Sequence, residues 1–170
     1  MKIKLTLELV GRYILGLIMI AYGLIKIIDI QFRLAPLVYD IPLGSLDGVT
    51  LTWAFFGYKT WFTILLGLIE FVSGTLLLFT RTKLIGKILT LPILIGIALV
   101  NNAFDFLPYM KVFTGCLLLL NILLLGMHTT IFKIIIKQVI CGHSKYPQAE
   151  VLINITLVSI ITFLVIYHLL

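Results

Sequence analysis

Long apolar runs broken by single charged residues set the pattern of this chain. A helix needs about 20 apolar residues to cross about 30 Å of hydrocarbon. The runs 5–30, 61–80, 84–106 and 151–170 meet that length, and 112–127 does so with its continuation to 137. In the first run Arg12, Met19 and Lys26 recur every seven residues and share one helix face, with Gly16 and Gly23 beside them and Tyr22 at its edge. That face carries both the small and the ionisable residues, so it should point into a bundle. In the second run Thr63, Gly67, Glu70, Gly74 and Arg81 fall within one arc, and the small residues there let a neighbouring backbone approach. Gly16, Gly23, Gly67 and Gly74 are therefore the expected helix-packing positions.

The connection 31–60 carries Pro36, Pro42, Gly44, Asp47 and Gly48, a cluster of turn signals. The segment 49–60 that follows is too aromatic for a solvated loop. Its Trp53 and Tyr58, with Trp61 just beyond, suit the headgroup level, so an interfacial element leading into the second helix is expected. Pro92 sits inside the third run and should kink it.

Composition narrows the class. The chain has 170 residues, of which 61% are hydrophobic and 12% charged; soluble domains carry about twice that share of charge. The fold class is all-α, a polytopic membrane protein. The net charge of +6 could suggest nucleic acid, but the lysines cluster at helix ends, which points to topology and anionic lipid instead. Lys2, Lys4, Arg12, Arg81, Lys83, Lys87, Lys133, Lys137 and Lys145 fall on one side. Lys26, Arg33, Lys59 and Lys111 fall on the other, with Asp29, Asp40, Asp47 and Asp105. The bias favours a cytoplasmic N-terminus, five crossings and a periplasmic C-terminus. Residues 5–30 read as a retained first helix, since the run contains Arg12 and no small-residue cleavage site ends it. Cys116 and Cys141 lie toward opposite sides and are not expected to pair.

Candidate chemistry gathers at buried polar positions. A carboxylate at the depth of Glu70 costs at least about 2.5 kcal/mol without a partner, and Arg12 is the expected one. Asn121 lies near the same depth, and Lys26, Asn101, Asn102, Asp105 and Tyr109 lie toward the outer side. These residues suit a polar pocket for a small head group such as a quinone, or an internal ion pair that fixes helix register. Lys26 and Asp29, spaced i, i+3, suit a local pair. His128 has no second histidine near it in sequence, and no metal site or catalytic constellation is expected.

The stretches RYILGLIMIAYGLIKI, GLIEFVSGTLLLFTRT and NNAFDF resemble the DoxX-like family of small bacterial membrane proteins, over residues 11–126. The resemblance implies a DoxX-like four-helix transmembrane bundle, with Arg12, Lys26, Glu70 and Arg81 on the family's polar positions. To this the chain adds a fifth C-terminal helix. The expected organisation is then a bundle over 1–137 and an inner loop with the extra helix over 138–170. The resemblance implies a bacterial inner-membrane location and a non-catalytic subunit or assembly factor of a larger complex. The expected partners are lipid and a larger membrane protein or further copies of this chain, not nucleic acid. The alternative is a quinone-linked redox component with its pocket at Glu70 and Arg12. A transporter is disfavoured because no inverted repeat or pair of broken helices is visible.

Overall fold

The computed structural model describes residues 2–128, and beyond them isolated helical positions between 152 and 167. The described residues are all helical apart from turns and connections. Among residues 2–128 five α-helices follow in order: α1 (Lys2–Ile27), α2 (Gly48–Gly57), α3 (Thr60–Leu78), α4 (Lys83–Ala103) and α5 (Pro108–Gly126). Two 3-10 turns, Pro36–Asp40 and Leu43–Ser45, lie in the connection between α1 and α2. Four of the helices, α1, α3, α4 and α5, are long and apolar enough to span a membrane. The chain divides into two compact units, Met1–Thr129 and Thr130–Leu170. The expected boundary near 137, the fifth span 151–170 and Cys141 lie outside the described residues or largely so. Cys116 is exposed on α5.

Among the described helices, α1 and α3 make the most extensive contact. Glycines set its closeness. A Cβ at Gly23 would stand 2.6 Å from the Gly67 carbonyl oxygen, and one at Gly74 would stand 2.7 Å from the Gly16 carbonyl oxygen. Gly16 thus faces Gly74 and Gly23 faces Gly67, so the two helices run antiparallel. With lipid outside, close backbone approach and dispersion contacts are the main sources of such association. At one end of the bundle α4 closes on α3, where Gly86 lies against the backbone of Leu76 and Leu77. Helix α5 completes the packing, with Leu15, Met19, Leu77, Leu94, Leu117 and Leu124 forming the buried apolar cluster.

The aromatic segment before α3 is a helix. The Asp47 carboxylate starts it by accepting from the Thr50 amide at 3.0 Å and from the Thr50 hydroxyl at 2.6 Å. Its C-terminal end is tied to α3 because the Thr63 hydroxyl donates to the Phe56 carbonyl at 2.8 Å. Phe32 is buried with a φ of 67°, a backbone region unusual for a bulky residue. Its ring stacks on Phe56 at 5.3 Å and meets Trp53 edge-on at 5.7 Å, contacts that hold the turn after α1 against α2. The third span continues through Pro92. It ends at Ala103, three residues before its expected end at 106, where the chain turns at Asp105 with a φ of 50°. Helix α5 begins at Pro108, earlier than the expected 112, because proline fits a first helical position.

Candidate functional site

Two polar centres occupy opposite ends of the bundle. The first is the pair Lys26 and Glu70, whose Nζ and Oε2 stand 2.6 Å apart with both side chains buried. Arg12, the expected partner of Glu70, is not its partner. The reason lies in the antiparallel register. The facing glycines place Glu70 about level with Ile20, so Arg12 starts about 12 Å toward one end and Lys26 about 9 Å toward the other. Each Cα–Cβ bond tilts toward its own helix N-terminus. Glu70 on α3 and Lys26 on α1 therefore lean toward each other, while Arg12 leans away. The expected Lys26–Asp29 pair is likewise replaced, and Asp29 instead occupies the turn with a φ of 56°.

This pair forms part of the wall of a cavity of about 1200 Å³. Met19 and Tyr22 of α1 and Leu66 and Ile69 of α3 flank the pair. Ile93 and Ile97 of α4 and Phe113 and Leu117 of α5 form the facing wall. Phe32, Thr52 and Phe56 close one end. Leu68, Val72 and Leu89 also line the cavity yet are exposed, so it opens sideways between α3 and α4. The ammonium of Lys26 lies 5.7 Å from the ring centroids of both Tyr22 and Phe32, within cation–π range. Gln31 adds a buried side-chain oxygen with no hydrogen-bond partner. Asn101 borders the cavity and donates to the Thr114 hydroxyl at 2.9 Å, linking α4 to α5. The result is a mostly apolar chamber with one ion pair and a few hydrogen-bonding groups, the usual composition of a small-molecule site.

Among the residues singled out from the sequence, Glu70, Lys26, Tyr22 and Asn101 meet at this cavity. Arg12, Asn121 and Asp105 do not. Asn121 donates to the Lys87 carbonyl at 3.1 Å, at the opposite end. Asp105 is exposed and stands 3.3 Å from Lys111. Gln31, Phe32 and Thr52 belong to the site but sit in turns or in α2, where helical periodicity gives no signal.

The second centre turns on Glu8, which the sequence reading passed over. Its Oε1 stands 2.9 Å from Lys83 Nζ, 2.8 Å from Lys87 Nζ and 2.8 Å from His128 Nε2. Lys87 is fully buried and also donates to the Leu124 carbonyl at 3.2 Å. One carboxylate thus ties α1 to α4 and to the end of α5. A signal was present: Glu8 and Arg12, like Lys83 and Lys87, are spaced i, i+4 and share a face. Arg12 lies beside this cluster, buried, with Nε and Nη1 unpartnered.

No family model matches the chain, and no solved structure matches it. The chain is similar to YwoB. That protein of Bacillus subtilis (strain 168), described as uncharacterized, is 33% identical over 94 residues, which make up 55% of this chain and 60% of the relative. The chain therefore spans about three-fifths of the length of YwoB.

Proposed function

We propose that this protein holds a neutral amphiphile of the quinone class in the cavity beside Lys26 and Glu70, within a bacterial inner membrane. The observation that carries the reading is the cavity itself: apolar walls, a lateral opening, and a buried ion pair flanked by Tyr22 and the free Gln31 oxygen. The apolar walls suit a hydrocarbon tail entering from lipid. Lys26 and the Tyr22 hydroxyl can donate to carbonyl oxygens, while Glu70 and Gln31 can accept from hydroxyls. The same groups thus suit both the oxidised and the reduced head. A quinone would supply electron-carrying capacity; the chain's own residues bind and orient it and exclude water.

The DoxX-like resemblance belongs to this proposal, as does an orientation with the Glu8 end cytoplasmic, supported by the excess of Lys and Arg there. An accessory role within a larger complex is compatible with the short connections 79–82 and 104–107, which leave helix faces as the main contact surface at those points.

The test is binding of a short-chain quinone to purified protein in micelles, read by quenching of tryptophan fluorescence. Trp53 touches Phe32, which lines the cavity, so an occupant should quench it. Saturable quenching that weakens about tenfold in Glu70→Gln or Tyr22→Phe supports the site. Absence of saturable quenching in the wild type, or equal affinity in both variants, overturns it.

A further inference from the structure

The structure assigns a second binding site, for a phosphate group, to the pocket around Arg12 at the Glu8 end of the bundle. The pocket measures about 290 Å³ and is lined by Arg12, Lys83, Thr80, Glu8 and Leu9, among others. It lies outside the quinone-class cavity and shares no residue with it.

Arg12 is the decisive group. It is 97% buried, counting from its 3% relative exposure, and its Nε and Nη1 are shielded from solvent without a hydrogen-bond acceptor. Its guanidinium lies 5.7 Å from the centre of the Tyr13 ring. A buried guanidinium without an acceptor carries a desolvation cost far beyond that of an apolar side chain in the same place. The nearest carboxylate does not relieve it. Glu8 is four residues away on the same helix, yet its Oε1 is occupied by Lys83, Lys87 and His128.

Charge counting gives the same sign. Leaving His128 aside, Arg12, Lys83 and Lys87 supply three positive charges against the single negative charge of Glu8. Helix α4 starts at Lys83, so the positive end of its dipole lies at the same place. The Thr80 hydroxyl adds a donor on the pocket wall. An anion with several acceptor oxygens would take a free Arg12 donor, a Lys83 hydrogen bond and the Thr80 hydroxyl together. A phosphate group has this shape and charge. It could be carried by a phospholipid head at the membrane surface or be a free ion.

The experiment uses the full chain, delipidated in maltoside micelles, which contain no phosphate. The thermal unfolding midpoint is followed while inorganic phosphate, phosphatidylglycerol or sodium chloride at matched ionic strength is added. Stabilisation by inorganic phosphate beyond the chloride control identifies a site that accepts the free ion. Stabilisation by phosphatidylglycerol alone identifies a lipid head as the source. Either supports the site, and no response to either overturns it. Arg12→Gln should weaken the responding ligand's affinity at least about tenfold. Leu9→Trp, which fills the pocket while leaving every charge in place, should abolish the response and decides the matter if Arg12→Gln does not fold. Lys111→Gln, a cation at the opposite end, should respond as the wild type does. Undiminished affinity in Leu9→Trp would overturn the assignment.

Discussion

The Lys26 and Glu70 side chains are each about nine-tenths or more buried, which makes the cost of removing either one unusually legible. Glu70→Gln or Lys26→Met leaves a lone buried charge and should destabilise the bundle by about 3–5 kcal/mol. The double variant Lys26→Met, Glu70→Met removes both charges and should recover most of that loss, though not ligand binding. Unfolding by denaturant in micelles measures all three, and a double variant no more stable than the singles would refute the coupling. Asp47 lies outside the spans and titrates differently. Its side-chain and backbone bonds to Thr50 hold its carboxyl below the usual value of 3.8. A lowered folded value means that its stabilising effect is present above the unfolded value and is lost as pH falls through the folded one. The protection of the Thr50 amide, its exchange rate relative to the unfolded chain at the same pH, should therefore fall at acid pH in the wild type. In Asp47→Asn that protection should no longer vary with pH, and in Asp47→Ala it should be low throughout.

Between elements, the contact of α1 with α3 is governed by what glycine leaves out. Gly23→Val should push the helices apart and cost about 1–3 kcal/mol or more, because even a Cβ would meet the Gly67 carbonyl oxygen at 2.6 Å. Gly115→Ala has open space around the added atom and, because alanine favours the helix, should stabilise by up to about 1 kcal/mol in the same unfolding by denaturant. These glycines were readable from the sequence because small residues spaced by seven on two apolar runs leave few other roles. The burial of Glu70 was readable for a similar reason. Its partner was not, since the choice between Arg12 and Lys26 depends on the relative register and direction of two helices 44 residues apart at the bond. Glu8 escaped notice for another reason: near a helix end a carboxylate resembles an ordinary surface charge, and orientation rules count lysine and arginine instead. The expectation of an interfacial element over 49–60 rests on its aromatic residues and does not specify its secondary structure. Asp47, three residues before Thr50, was the visible sign of a helix start.

For the whole molecule, the contact of Glu8 with both Lys83 and His128 puts the start of α1, the start of α4 and the end of α5 at one end. The turn near Asp105 and the connection to α2 occupy the other. Single cysteines introduced at Thr82 and at Gly44, with Cys116 and Cys141 replaced by serine, should therefore react with an impermeant maleimide from opposite sides of sealed vesicles. Labelling of both from one side would refute the four-crossing arrangement of residues 2–128. The ion pair beside the cavity has a further effect at this scale. A membrane at rest acts on every charge moved across it, by about 2.3 kcal/mol per elementary charge per 100 mV. Lys26 and Glu70 cancel, so a neutral guest entering from lipid moves no charge through that field. Filling and emptying the chamber would be electrically silent, and its occupancy would follow the guest's concentration in the bilayer whether or not the membrane is energised.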